Sequence, residues 1–183
     1  FDICFSKILQ MEIVLMGYMG SGKSTIGKHI SERLNLTFID LDAYIEQKED
    51  QTIKALFSSK GEIYFRLKEA EYLQEILETK TKYVLSLGGG TPCYGTNMNR
   101  IKESTAISCY LKANIPTLVA RLQKGKENRP LIASLNDAQL LEYVGKHLFE
   151  RAPFYEQAAY KININDRSIE EISDDVVATL NKL

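Results

Sequence analysis

The sequence predicts an α/β protein in which a parallel sheet of five strands carries helices on both faces. Five short apolar runs alternate along the chain with segments of helical periodicity, which is typical of this three-layer fold class. Glycines and acidic residues directly follow several of these runs, and ligands bind at the carboxyl ends of the strands in such sheets. The length of 183 residues suits one compact domain.

The strands are short and mostly apolar, as expected of strands that are buried on both faces of a sheet. The first, EIVLM, runs directly into a glycine-rich turn, and the third ends in three glycines. The predicted strands are residues 12–16, 36–42, 83–90, 106–112 and 160–164.

The helices are predicted from apolar residues that recur every three or four positions. The predicted helical segments are residues 23–34, a helix start at 43–50, residues 52–80 with a break at 58–61, a helix from Pro116 towards Lys124, residues 137–155 interrupted near Pro153, and residues 168–183. Between them, residues 122–133 are charged and are broken by Gly125 and Pro130. This composition predicts a mobile loop.

Composition excludes several classes of protein. No apolar run reaches the length of about 18 residues that a membrane span needs. Lysine and arginine total 23 against 24 acidic residues, so charge gives no reason to expect nucleic acid or a membrane surface as a partner. Three widely spaced cysteines, Cys4, Cys93 and Cys109, indicate reduced thiols in a cytoplasmic protein.

The first ten residues, FDICFSKILQ, precede Met11 and the first predicted strand. We expect residues 1–10 to be a non-native extension. A signal peptide is the alternative, but the apolar part is short and carries Asp2 and Lys7.

A glycine-rich turn joins the first strand to the helix after it. Residues 17–24, GYMGSGKS, fit the phosphate-loop pattern G-x-x-x-x-G-K-[ST]. The glycines let backbone N–H groups face inward, and the helix adds its positive end. Lys23 can reach the β- and γ-phosphates of a nucleotide, and the Ser24 hydroxyl can ligate Mg²⁺. Because many NTPases share this turn, it leaves the phosphate acceptor open.

Further candidates follow the second and third strands. Asp40 and Asp42 are two residues apart, and on a strand both carboxylates would face the same part of the cleft. Two neighbouring carboxylates would be explained if one supported Mg²⁺ and the other contacted a substrate hydroxyl. The alternative is that they have no ligand and form a solvated strand end with a helix cap. Arg66 and Glu69 share a helix face, where a surface ion pair is the usual outcome.

Three glycines, Gly88, Gly89 and Gly90, allow a ligand close to the backbone, although a flexible turn would also use them. Arg129 and Arg151, each taken alone, would be solvated side chains.

Together these pieces resemble the shikimate kinases over about residues 12–168. The resemblance rests on six segments in order: GSGKSTIG, FIDLD, GEIYFR, SLGGG, NRPL and RAPFY. It implies a P-loop NTPase fold with strand order 2-3-1-4-5, in one domain of residues 11–183. Within that domain it implies an acceptor-binding segment at about 43–72 and a lid at about 122–136. Ser86 stands where many P-loop enzymes carry an acidic residue, which leaves the metal to Ser24 and Asp40.

The resemblance also implies roles for individual residues. Those that bind ATP are Gly20, Ser21, Gly22, Lys23, Ser24, Thr25, Arg121 on the adenine side and Arg129 from the lid. Mg²⁺ is ligated by Ser24 and supported through water by Asp40. Those that bind shikimate are Asp42 at the reacting hydroxyl, Arg66 and Arg151 at the carboxylate, and Gly88, Gly89 and Gly90, with Glu69 orienting the arginines. Asp42, Lys23 and Arg129 are the implied catalytic residues.

The implied reaction moves the γ-phosphoryl group of ATP to the 3-hydroxyl of shikimate, in chorismate and aromatic amino acid biosynthesis. The implied protein is a cytoplasmic monomer that binds neither nucleic acid nor membrane. Two alternatives stay open at this point: another small-molecule P-loop kinase, for gluconate or a nucleoside monophosphate, and a non-catalytic ATP-binding module.

Overall fold

The computed structural model describes residues 11–129 and 131–180, and its five strands form one wholly parallel sheet. The spatial order is β2-β3-β1-β4-β5, which confirms the predicted strand order. The expectation for residues 1–10 lies outside the described residues. The strands are β1 Glu12–Met16, β2 Thr37–Asp40, β3 Tyr83–Ser86, β4 Ile107–Lys112 and β5 Tyr160–Asn163.

Seven α-helices in the described residues surround this sheet. They are α1 Lys23–Leu34, α2 Leu41–Glu49, α3 Ile53–Thr79, α4 Asn97–Glu103, α5 Ile115–Gln123, α6 Asp137–Tyr155 and α7 Ile169–Leu180. In the central strand β1, residues 13–16 are all fully buried although successive side chains point to opposite faces. Both faces of the sheet are therefore covered by helices, as predicted. Among the described residues, no helix is both long enough and apolar enough to span a membrane.

Helix α1 packs closely on the sheet through a glycine. A Cβ atom on Gly27 would lie 2.7 Å from the ring of Phe38 on β2 and 3.3 Å from Leu15 on β1. No side chain larger than hydrogen fits there without a shift of the helix or of the Phe38 ring. Because α1 begins at Lys23, this contact also fixes the phosphate loop above the carboxyl end of β1.

Helix α3 is broken once, at Gly61, within the predicted break at 58–61. Gly61 has φ +82° and ψ 173°, a backbone conformation that glycine adopts far more readily than other residues. The helix therefore consists of a short segment before Gly61 and a long segment after it, and the second carries Arg66 and Glu69.

Helix α4 was not predicted, and three predicted boundaries next to the candidate site residues were wrong. β2 ends at Asp40, because the Asp40 carboxylate accepts hydrogen bonds from the backbone N–H groups of Asp42 and Ala43 and so caps α2. Asp42 therefore lies in the first turn of a helix, and the argument from strand alternation does not apply to it. β3 ends at Ser86, before the glycines. α6 continues through Pro153, and the N–H of Glu156 still donates to the carbonyl of Ala152 at 2.9 Å.

Candidate active site

The phosphate loop leaves polar groups facing an open cleft. Gly20 and Gly22 have φ values of +81° and +89°, which turn the backbone into α1. No side chain caps the N-terminus of α1, and its first turn holds no acidic residue, so the positive end of the helix is open to an anion. The Ser21 hydroxyl is buried without a hydrogen-bond partner. These features fit the phosphates of a nucleotide.

Lys23 crosses the loop from the first residue of α1. Its ammonium group donates to the carbonyl of Gly17 at 2.9 Å and to that of Tyr18 at 3.0 Å. Burial lowers the pKa of Lys23 to about 8, and the nearby Asp42 and Asp40 carboxylates partly oppose that shift. The lysine is thus a buried cation that already holds the loop in shape.

A cavity of about 290 Å³ opens over this loop. Its lining comes from the loop, the start of α1 and two arginines: Gly20, Gly22, Lys23, Ser24, Thr25, Arg121 and Arg129. Arg121 on α5 donates to the carbonyl of Ser21 at 3.4 Å and to that of Ile164 at 3.3 Å. All of the residues expected to bind ATP, except the buried Ser21, therefore line one cavity.

Ser24, which lines that cavity, also meets Asp40 and Ser86. The Ser24 hydroxyl donates to the Asp40 carboxylate at 2.8 Å, and the Ser86 oxygen lies 3.4 Å from that of Ser24. Hydroxyl and carboxylate oxygens are the ligands that Mg²⁺ prefers, so these residues fit that ion. No group of three His, Cys, Asp or Glu side chains among residues 11–129 and 131–180 could hold a metal by itself. Oxygens of a bound phosphate would have to complete the ligand set.

A second cavity of about 460 Å³ adjoins the first. The two share Gly20, Lys23, Ser24 and Arg129, and the second adds Asp40, Asp42, Gly88 and Gly89. Met19, Ser86, Leu87 and Leu131 complete its lining. A molecule in one cavity would therefore touch the same lysine and arginine as a molecule in the other.

Asp42 faces this second cavity from the first turn of α2. Water reaches it through the open cleft, but surrounding protein raises its pKa to about 6, and repulsion from Asp40 and Glu69 adds to the shift. At neutral pH its carboxylate is mostly ionised and still basic enough to accept a proton. Asp40 and Asp42 do line the same cavity, although not for the reason predicted.

Arg66 and Glu69 form a pair that is largely buried, so the surface-pair alternative is wrong. The Glu69 side chain is 1% exposed and that of Arg66 is 18% exposed. Arg66 Nη1 donates to Glu69 Oε2 at 2.9 Å, and the Thr91 hydroxyl donates to Glu69 Oε1 at 2.6 Å. Buried charges of this kind are held by specific partners and not by solvent.

The three glycines after β3 make room for these charged groups. A Cβ on Gly88 would lie 3.1 Å from Asp42 Oδ1 and 3.4 Å from Glu69 Oε1. One on Gly90 would lie 3.1 Å from Arg66 Nη2, and one on Gly89 would lie 3.5 Å from Arg151 Nη1. Consecutive glycines therefore bring two guanidinium groups and two carboxylates around one turn.

Arg151 reaches this turn from the end of α6. Its guanidinium carbon lies 5.6 Å from the centre of the Tyr18 ring, in a cation–π contact. In the described residues, neither Arg66 nor Arg151 lines either cavity. Arg66 lies next to Gly90, and Arg151 lies next to Gly89, which lines the second cavity. The structure thus brings them to the same turn, but not into the cavity wall.

Arg129 extends from the predicted lid into the space between the cavities. Its Nη1 atom is buried without a hydrogen-bond partner and lies 3.9 Å from where a Cβ on Gly20 would be. A buried guanidinium nitrogen that lacks a partner is suited to an anion.

Three side chains near the site were missed from sequence. Thr91 is fully buried beside Glu69, and Tyr155 donates its hydroxyl hydrogen to the carbonyl of Gly89. Tyr18, inside the phosphate loop, is buried under Arg151. Thr91 could have been found as the first polar residue after the glycines, whereas the tyrosines gave no signal beyond their place in motifs.

The family profile, the curated relatives and the solved structures above 25% identity carry one family name. A family profile described as shikimate kinase matches residues 19–181. A shikimate kinase of Flavobacterium psychrophilum is 44% identical over 90% of this chain and 96% of its own length. The crystal structure of shikimate kinase from Bacteroides thetaiotaomicron superposes with a TM-score of 0.87 at 37% identity, over 95% of this chain and 99% of that one. Shikimate kinase from Acinetobacter baumannii in complex with shikimate gives 0.84 at 31% identity, over 98% and 97%.

Proposed function

The chain belongs to the shikimate kinase family, and from that membership we propose that it transfers the γ-phosphoryl group of ATP to the 3-hydroxyl of shikimate. The products are shikimate 3-phosphate and ADP. The observation that carries the proposal is the pair of adjoining cavities that share Lys23 and Arg129. One cavity has the groups that suit phosphates, and the other has the carboxylate that a hydroxyl acceptor needs.

The nucleotide binds at the phosphate loop. Backbone N–H groups at residues 20–25 and the positive end of α1 surround its phosphates. Arg121 lies on the adenine side and Arg129 on the side of the transferred group. The unpartnered Nη1 of Arg129 and the buried ammonium group of Lys23 support these assignments.

Ser24 would ligate Mg²⁺ in the proposed complex, and Asp40 would support the ion through water. The 2.8 Å contact between their oxygens supports this pairing. When bound, the ion neutralises part of the charge on the phosphates. Ser86, next to Ser24, adds a neutral oxygen where an acidic residue is common in other P-loop enzymes.

Asp42 orients the acceptor hydroxyl and takes its proton. The hydroxyl oxygen forms a bond to the γ-phosphorus, the bond from that phosphorus to the bridging oxygen of ADP breaks, and the hydroxyl proton passes to the Asp42 carboxylate. A strong base is not required, because bond formation to the acceptor is late in a loose transition state. Lys23 and Arg129 stabilise the charge on the transferring group, and positioning contributes most of the rest.

Shikimate is selected through its carboxylate. Arg66 and Arg151 bind that carboxylate at the edge of the glycine turn, where a guanidinium fork matches it bidentately. Glu69 keeps Arg66 in place, and Gly88, Gly89 and Gly90 let the ring approach the backbone. The short distances between these glycines and the charged groups support the assignment.

The functional unit is a single domain of residues 11–183, acting as a cytoplasmic monomer. Residues 43–72 form the acceptor-binding segment and residues 122–136 form the lid.

An assay of ADP release with several acceptors tests the proposal. The purified protein receives ATP and Mg²⁺ with shikimate, gluconate, a nucleoside monophosphate or no acceptor. We expect ADP release that depends on shikimate alone. Turnover with another acceptor would identify a different small-molecule kinase, and ATP binding without turnover on any acceptor would identify a binding module.

A further inference from the structure

Glu49, the last residue of α2, holds three side chains of α3. Its Oε1 accepts a hydrogen bond from the Tyr72 hydroxyl at 2.6 Å. Its Oε2 accepts from the Tyr64 hydroxyl at 2.7 Å and from the Lys60 ammonium group at 3.3 Å. The Glu49 side chain is 7% exposed, so these contacts are little weakened by solvent.

The three donors lie on both sides of the break in α3. Lys60 directly precedes Gly61, whereas Tyr64 and Tyr72 follow it. Lys60 also donates to the Tyr64 hydroxyl at 3.0 Å and lies 4.3 Å from the centre of its ring. A Cβ at Gly61 would meet nothing within 4 Å, so the glycine itself makes no contact that fixes the angle. Side chains on either side of the break hold it: the rings of Phe57 and Phe65 pack with their centres 4.7 Å apart, and Glu49 joins Lys60 to Tyr64 and Tyr72.

The anchored tyrosines bracket the residues proposed to bind the acceptor. Arg66 and Glu69 lie between Tyr64 and Tyr72 on the second segment of α3. A change of angle at Gly61 would therefore carry Arg66 with it. At the other end of α2 lies Asp42, so the helix that Glu49 terminates begins at the proposed base.

We propose that Glu49 is a positioning residue for the acceptor: it sets the angle at Gly61, and thereby the place of Arg66 relative to Asp42. The inference rests on the proposed function, because shikimate is the ligand that Arg66 and Asp42 would share. Hydrogen bonds from Tyr72 and Tyr64 lower the pKa of Glu49 to about 2, so the group is ionised at neutral pH. The fixed geometry acts on acceptor binding and leaves the phosphate loop untouched.

The chain offers a control in Glu75, whose side chain is 33% exposed against 7% for Glu49. This residue of α3 accepts hydrogen bonds from the Tyr44 hydroxyl at 2.9 Å and the Lys48 ammonium group at 2.8 Å. It has the same chemistry as Glu49 and joins the same two helices. Both of its donors lie on α2, however, so it does not bridge the break at Gly61.

The test compares Glu49→Gln, Glu75→Gln and the native protein in steady-state kinetics. We expect Glu49→Gln to raise the KM for shikimate about tenfold, the effect of losing one hydrogen bond to a charged group. Its KM for ATP should stay within about twofold, as should both KM values of Glu75→Gln. Thermal midpoints, measured separately, report any loss of stability. An unchanged KM for shikimate in Glu49→Gln, or an equal rise in both variants, would overturn the proposal.

Tyr64→Phe provides a second variant that keeps the carboxylate. It should also raise the KM for shikimate, and its effect should not add to that of Glu49→Gln, because both remove the same bond. Fully additive effects would mean that the two residues act separately and that Glu49 does not work through Tyr64.

Amide hydrogen exchange tests the same idea without any substrate. Exchange in residues 58–66 should be faster in Glu49→Gln than in the native protein and in Glu75→Gln, because local opening at the break becomes easier. If the native protein fails to phosphorylate shikimate, the proposed function fails while this measurement still decides the role of Glu49. Equal exchange in all three proteins would show that Glu49 does not hold the break, and the proposal would fall.

Discussion

Replacing Arg66 with alanine should damage folding as well as acceptor binding. Glu69 is 1% exposed and accepts one hydrogen bond from Arg66 at 2.9 Å and one from Thr91 at 2.6 Å. Arg66→Ala leaves that carboxylate buried with only the threonine as a partner. The variant therefore removes a counter-charge from the interior and, in the proposed complex, one of two arginines from the shikimate carboxylate.

The size of the first effect follows from the burial of the pair. Removing one partner of a buried ion pair costs about 3–5 kcal/mol, because it leaves an uncompensated charge. The Thr91 hydroxyl still satisfies one Glu69 oxygen, and Arg66 is 18% exposed, so we expect the lower end, about 3 kcal/mol. Whole domains are stable by only about 5–15 kcal/mol, so the loss is large enough to measure.

Urea unfolding followed by circular dichroism measures this loss, and Arg66→Ala, Glu69→Gln provides the control. The double variant should recover much of the stability, because a neutral amide replaces the stranded carboxylate. Calorimetric titration should show shikimate affinity reduced about 30-fold or more in both variants, as expected for about 2 kcal/mol or more. A single variant as stable as the native protein, or a double variant no more stable than the single one, would refute the reasoning about Glu69.

Three further predictions concern the phosphate loop, the base and the lid. Lys23→Ala should slow phosphoryl transfer about a hundredfold or more in single-turnover assays while the fold persists, since one charge-stabilising donor is lost; near-native rates would contradict its role. The value of kcat/KM for shikimate should fall as pH drops through about 6, because the raised pKa of Asp42 then leaves its carboxyl protonated; a flat profile down to pH 5 would exclude Asp42 as the base. Residues 122–136 should exchange amide hydrogens more slowly when ATP and shikimate are both bound, and equal rates with and without them would rule out closure over the ligands.

The sheet and the phosphate loop could be predicted because their signals are local or carried by motifs. The apolar strands and the pattern at residues 17–24 can each be recognised from a few consecutive residues. The strand order came from the resemblance to a family. The end of β2 was predicted wrongly because the Asp40 side chain competes for backbone N–H groups and starts a helix two residues early. Asp42 nevertheless reached the expected cavity by way of that helix.

The burial of Arg66 and Glu69 could not be predicted from their own segment. A spacing of three residues on a helix is the same for a solvated pair and a buried one. What distinguishes the two is Thr91 and the glycine turn, which follow β3 and reach the pair only through tertiary packing. The hydrogen bonds of Glu49 could not be predicted from its own segment for the same reason, because its partners are 11 to 23 residues away along the chain.

The burial of Lys23 lowers the stability of the fold but favours nucleotide binding. Two of the three hydrogens on its ammonium group already bond to Gly17 and Tyr18 carbonyls, and burial lowers its pKa to about 8. The free-energy cost of removing water from this cation therefore reduces the stability of the folded state. A nucleotide that binds at the loop meets a lysine that is already dehydrated, so nucleotide binding does not include this cost. An apolar side chain at this position would avoid the cost of dehydration, but it would leave the Gly17 and Tyr18 carbonyls without these hydrogen bonds and the loop without its cation.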